Sequence, residues 1–188
     1  RRLSTKDSLT EDSPPEPERF LIDSDVDPEI IALLKKLGFK ARGVLTLPIE
    51  NEDTLLLIWA RKRGYILVCH DKHRDAKQRY SFYSEMYYRG GQVIRISGKP
   101  GQDALFALGK ILVHRPEWQG HFLSDSGEVV VHPTGCNFTT AAMLFERSSY
   151  SMRLTFEDPA IPLKSRAAIP KKKRARKVRA PRASGPLL

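Results

Sequence analysis

The sequence specifies an α/β layered domain built on a mainly parallel sheet. Two observations predict it. Short apolar runs, continuous rather than alternating, read as strands buried on both faces. They alternate with amphipathic segments of ten or more residues, the pattern of strand–helix–strand units. The chain has 188 residues of which 40% are hydrophobic, enough for one core of ordinary size.

Phe20-Leu21-Ile22 is the first such run, and acids follow it at Asp23, Asp25 and Asp27. Asp27-Pro28-Glu29 supplies a helix cap, a proline at the first helical position and a first-turn acid. Ile30, Ile31, Leu33, Leu34 and Leu37 then recur at helical spacing up to Gly38. A second strand is predicted from Phe39 to about Leu45. After Pro48, the acidic stretch Glu50 to Asp53 opens a helix through Arg63, which Gly64 stops. Tyr65 to Cys69 is the clearest buried strand and ends at His70-Asp71. The spacing predicts a helix over 73–89 broken by Gly90-Gly91, a strand over Val93–Ile96 and a helix over 101–114. Beyond Pro116 the pattern predicts a hairpin, with His121-Phe122-Leu123 and Glu128–His132 as its strands around Asp125-Ser126-Gly127. A short helix over Thr139–Tyr150 and a strand over Met152–Phe156 complete the reading. Parallel crossovers are expected to be right-handed.

The organisation follows from composition. Residues 1–18 are polar and Pro-rich, a disordered leader. Residues 19–115 form the domain, 116–158 a hairpin-bearing mixed extension packed on it, and 159–188 a disordered tail. The net charge of +10 belongs to that tail, which holds ten of the 32 Lys and Arg residues and no acid. The basic balance therefore says nothing about the surface of the domain. No run approaches the ~18 apolar residues of a bilayer span, so no membrane is expected. No N-terminal stretch reads as a secretory signal, although a chain opening at Arg1 without Met can be a fragment. Two cysteines, Cys69 and Cys136, make no disulfide framework, and the expected compartment is intracellular, cytoplasmic, or nuclear in a eukaryote.

In an open parallel sheet, ligands bind beyond the carboxyl ends of the strands, near the point where strand order switches. Asp23 and Asp25 follow the first strand, Asp71 follows the third, and Asp53 opens the helix between strands two and three. Carboxylates gathered there raise one another's pKa unless a cation is present. An all-oxygen set suits a hard divalent ion such as Mg²⁺, which can orient water and stabilise charge in phosphodiester cleavage. Asp27 reads as a helix cap only.

Three segments, FLIDSDVDPEIIALLKKLGFKARGV, NEDTLLLIWARKRGYILVCHDKH and GGQVIRIS, resemble the PIN-like nuclease superfamily, closest to the small PIN-like proteins related to toxin–antitoxin ribonucleases. The resemblance covers about 20–115. It implies a three-layer domain and Mg²⁺- or Mn²⁺-dependent endoribonuclease action on single-stranded RNA, as the toxin of a toxin–antitoxin pair. Asp23 matches the first-strand acid, Asp53 the middle acid with Glu52 as a one-residue alternative, and Asp71 the acid of a Thr-Arg-Asp-like triplet. Cys69-His70 replaces the first two members of that triplet. Asp25 is a further candidate ligand, and Asp75 is the candidate for a fourth acid. The implied partners are RNA and an antitoxin protein or ribonucleoprotein, and relatives often form homodimers.

Two other functions fit parts of the chain. A PIN-like module that has lost catalysis would bind RNA or a ribonucleoprotein as a scaffold. Asp23-Ser24-Asp25, Asp71, Ser97 and Lys99 also resemble a response-regulator receiver, a phosphoacceptor; its first helix would be about a turn short, and an acid at 52 or 53 has no role in it. Zinc finds no finger-type spacing among Cys69, His70, His73, His114, His121, His132 and Cys136. Lys72 and Arg74 beside Asp71 are candidate phosphate ligands, and Lys77 and Arg79 follow with Tyr80, Phe82, Tyr83, Tyr87 and Tyr88 interleaved, cations and aromatics of the kind that hold single strands, with Phe82 and Tyr83 expected rather to pack on the sheet. Lys171, Lys172, Lys173, Arg174, Arg176 and Lys177 in the tail are candidate nucleic-acid contacts, and in a eukaryote the run resembles a nuclear-import signal.

Overall fold

The computed structural model describes residues 18–70, 75–98 and 100–156. Asp71, Lys72, Arg74, Lys99, the leader up to residue 17 and everything from 157 onward lie outside the described residues.

Strands β1 (Arg19–Ile22), β2 (Lys40–Gly43), β3 (Tyr65–Cys69), β4 (Gln92–Ile96), β5 (Gly127–His132) and β6 (Gly135–Thr140) form one sheet in the order β2-β1-β3-β4-β5-β6. Only the last pair, β5–β6, is antiparallel. Helices α1 (Glu29–Lys36), α2 (Asp53–Lys62), α3 (Ala76–Arg89), α4 (Ala104–Val113), α5 (Arg115–Ser124) and α6 (Ala141–Phe156) cover it. The predicted α/β class with a mainly parallel sheet is the observed one.

Alternation along each strand divides the core in two. Phe20, Ile22, Ile66, Val68, Ile94 and Val129 face α1, α4 and α5. Leu21, Leu67, Cys69 and Val93 face α2, α3 and α6. The crossovers β1–α1–β2, β2–α2–β3 and β3–α3–β4 therefore share one hand, because each reversal of direction across the sheet is matched by a change of face. The β4–α4–α5–β5 crossover continues in the same direction as its predecessor but passes over the α1 face, so its hand is opposite. The expectation of uniform handedness is corrected here. On the other face, the space beside α3 is taken by α6, whose Ala141 and Leu144 enter the second core.

Three elements also differ from expectation. The second strand ends at Gly43 rather than near residue 45, because a 3-10 turn over Val44–Thr46 buries Val44. Residues 121–123 are not a strand: Pro116 sits in the first turn of α5 as a helix starter, and Trp118 and Phe122 pack one turn apart with ring centroids 6.0 Å apart. The Trp118 indole donates to the Ile111 carbonyl at 2.7 Å. The antiparallel partner of β5 is β6, not that segment. Finally, the short helix and the strand expected over 139–156 are one helix, α6. Ala141, Leu144 and Ser148 recur on its buried face with a period that alternation in Met152–Phe156 obscured.

A charged cluster lies under α3 and α6. Arg95 Nη2 donates to Glu128 at 2.5 Å and Nε at 3.0 Å, and the Tyr83 hydroxyl donates to the other carboxylate oxygen at 3.2 Å. Burial and the Glu128 carboxylate push the Tyr83 hydroxyl well up. Removing one partner of such a pair strands the other in low dielectric. Glu128→Ala is expected to cost about 3–5 kcal/mol in urea denaturation, whereas Arg95→Met combined with Glu128→Leu is expected to cost far less. Equal destabilisation by the two variants would show that the cluster acts only by filling space.

Candidate functional site

In this strand order the chain leaves β1 toward β2 on one side and returns to β3 on the other, so the carboxyl ends of β1 and β3 flank the switch point. Asp23 begins there. Its amide continues the ladder by donating to the Val68 carbonyl at 2.9 Å. Its carboxylate turns back to accept from the Ser24 amide at 2.6 Å. Two residues on, both oxygens of Asp25 accept from the His70 amide, at 3.0 and 2.9 Å. Asp25 thus ties the loop after β1 to the end of β3, and the residue that follows His70 is Asp71.

The third acid arrives from α2. Leu47 is buried in the second core and Ile49 packs against it, so the loop before α2 is anchored by apolar residues on either side of Pro48. Asn51 then donates from its amide to the Ser24 hydroxyl at 3.3 Å. Asp53 follows as the first residue of α2, half-buried, while Glu52 is exposed. Asp53 acts on Asp23. The Asp23 carboxyl is raised from 3.8 to about 6, first by burial, then by the charge of Asp25, with a smaller contribution from Asp53. A recess of about 140 Å³ opens beside Asp53, lined also by Asn51, Glu52, Thr54 and Gln78.

Other candidates have different places. Asp75 caps α3, accepting from the Lys77 and Gln78 amides at 2.9 Å each. Asp27 accepts from the Glu29 amide at 2.9 Å at the start of α1. Cys69 is buried in the α2–α3 face of the core, where burial and Glu128 push its thiol well up. His70 is also buried, with Nδ1 3.0 Å from the Ile96 carbonyl and Nε2 without a partner among the described residues. Asp71, Lys72, Arg74 and the tail cations fall outside the described residues.

Two arrangements were not legible in the sequence. One is the Asp25–His70 bond, which spans 45 positions. The other is a group around Glu117, whose carboxylate lies 3.5 Å from His114 Nδ1 and accepts from the Cys136 thiol at 3.1 Å. Burial and Glu117 push the Cys136 thiol up to about 11, which keeps it protonated and unreactive at neutral pH. Among the described residues, no three His, Cys, Asp or Glu side chains stand as a group able to hold a metal ion. Among the same residues no helix is long and apolar enough to cross a membrane. Comparison of the chain with family models, curated proteins and solved structures found no match.

The raised Asp23 carboxyl has a definite consequence for stability. Its folded pKa lies above its unfolded value, so between pH 3.8 and about 6 the folded state holds the proton more tightly. Stability of the metal-free protein therefore falls as pH rises through that window, and the loss is complete above it. Asp23→Asn keeps the acceptor for Ser24 but removes the charge. It is expected to be more stable than the parent by about 1–3 kcal/mol at pH 7 and nearly equal to it at pH 3.5. Urea denaturation in EDTA at the two pH values measures this; a constant difference between parent and variant would refute the assignment.

Proposed function

We propose that the chain is a metal-dependent endoribonuclease of PIN-like type that cleaves single-stranded RNA, with Asp23, Asp53 and Asp71 as its metal-binding acids and Asp25 as an adjoining one. The observation that carries this reading is the placement of Asp23, Asp25 and Asp53 about the switch point, where burial and the other two charges raise the Asp23 carboxyl. The donors are all oxygen, and the proton that Asp23 holds up to about pH 6 occupies the place that a hard cation would take. Mg²⁺ or Mn²⁺, when bound, would supply Lewis-acid stabilisation of charge on the scissile phosphate. The protein's own part is to gather the acids. Burial of β1 presents Asp23, the anchored loop before α2 delivers Asp53, and the bond from the His70 amide to Asp25 fixes the chain just before Asp71. Lys72 and Arg74 follow at once and are suited to hold the phosphates, with the tail cations adding sequence-independent attraction. RNA is the expected partner, with an antitoxin protein or a ribonucleoprotein as its regulator.

Two observations favour other readings. Asp25 is engaged by the His70 amide, as in a site kept for structure, which suits a catalytically silent RNA-binding module. The order of the five parallel strands, 2-1-3-4-5, is also that of receiver domains. Uniform right-handed crossovers would put the helix between β4 and β5 on the face of α2 and α3. Here α4 lies with α1, against a receiver.

A titration with Mg²⁺ and Mn²⁺ on mixed single-stranded RNAs separates the three. A nuclease cleaves, loses at least about 10- to 100-fold of its activity in Asp53→Asn, and forms no phosphoryl adduct with a small phosphodonor. A silent module binds without cleaving, and a receiver is labelled at Asp71. For the nuclease, Mg²⁺ should raise the melting temperature of the parent but not of Asp71→Asn, because only a state that binds the ion gains from it. Full activity in both Asp53→Asn and Asp71→Asn would remove the metal-site assignment.

A further inference from the structure

We infer that the outer face of α3 is a track for single-stranded RNA that leads away from the acid edge, an inference that rests on the nuclease reading for its direction but not for its binding. A groove of about 610 Å³ runs between α2, α3 and α6, and its lining includes Thr54, Lys77, Ser81, Ser84, Tyr88 and Arg89. Positions 77, 81, 84 and 88 fall on one helical face, so hydroxyls, a cation and an aromatic ring stand in a row. Thr54 lines both this groove and the recess at Asp53, so the two lie side by side.

The chemistry of the row fits a phosphodiester strand with unstacked bases. Lys77 is exposed near the acid end, and Arg89 at the far end has a side chain 66% exposed. Among the described residues lining the groove the acid is Glu85, which lies 3.6 Å from Arg89 and 3.8 Å from Arg61, so its charge is partly offset. Tyr88 is 69% exposed. Its ring is held edge-on to Phe145 at 5.6 Å, while Tyr87 stacks on Phe145 at 4.9 Å. A ring fixed from beneath and open above loses little freedom when a base stacks on it, and base–aromatic stacking tolerates any sequence. An acidic protein would meet the same cations but would gain nothing from an open tyrosine face in line with them.

The test uses the full chain and a fluorescent mixed-sequence single-stranded RNA in EDTA, read by anisotropy, with salt varied. Tyr88→Leu keeps apolar bulk against Phe145 and removes the stacking face; it is expected to weaken binding about tenfold. Lys77→Ala is expected to weaken binding and to reduce the slope of log affinity against log salt by about 0.7. Tyr150→Ala, which removes a tyrosine 66% exposed on α6 and outside the groove, is expected to bind like the parent. Unchanged binding by both Tyr88→Leu and Lys77→Ala would overturn the track, as would a parent that binds no RNA. Displacement of the RNA by polyglutamate at equal charge concentration would also overturn it, in favour of an acidic protein. Cleavage in Mg²⁺ or Mn²⁺ is scored separately. Groove-dependent binding without cleavage keeps the track and removes the nuclease reading; cleavage with groove-independent binding does the reverse.

Discussion

The acid edge depends on β1 being buried on both faces. Phe20 and Ile22 enter one core and Leu21 the other, all three with at most 1% of their surface exposed. Four residues at about 3.3 Å each carry the chain only some 13 Å across the sheet. The strand therefore cannot slip, since a shift of one residue would exchange the two faces and carry a carboxylate into the core. Asp23 is fixed at the margin in consequence, close enough to apolar surroundings to be desolvated and close enough to solvent to be accessible. The perturbed proton equilibrium of Asp23 is set first by this burial and then by the charges of Asp25 and Asp53.

The same economy governs the opposite half of the sheet. A connection through two helices has the length to pass over either face, and α4 finds its partner in α1: Ala107, Leu108 and Ile111 share a core with Ile30 and Leu34. The usual preference for right-handed crossovers comes from strand twist acting on a short return, and a link containing two helices relaxes that constraint. The vacated surface over β5 and β6 would leave apolar area in water. The chain returns over β6 to cover it with α6, which also brings Phe145 against the tyrosines of α3. The groove on the outside of α3 exists because α6, rather than the β4–β5 link, lies beside it.

Legibility in the sequence followed the range of the interactions involved. The strands β1 and β3 and the helices α1, α2 and α4 were visible because continuous apolar runs and helical spacing are local signals. So was the choice of strand ends for the acids, since the rule that ligands sit beyond them needs only the order of elements. Local signals misled where one residue type serves two purposes. Pro116 ends one pattern and starts α5, and the alternation in Met152–Phe156 fits a strand as well as the end of a helix. Contacts between distant loops left no trace at all. Nothing about Asp25 foretold that both its oxygens would accept from His70, because that bond is specified by strand order and not by neighbours in sequence.

The assembly of the acids is therefore unequal in robustness. Asp23 and Asp25 are delivered by a strand and held by backbone amides, an arrangement that persists as long as the sheet does. Asp53 is delivered by a loop whose order relies on Leu47 and Ile49 packing into the second core and on one side-chain bond from Asn51 to Ser24. Loops anchored by few apolar contacts open at lower free energy than the sheet they join. Across this link the Asp53 carboxylate acts on Asp23, adding to burial and to the charge of Asp25 in raising its proton affinity. The loop of residues 47–52, more than the strands, therefore sets where Asp53 stands relative to Asp23.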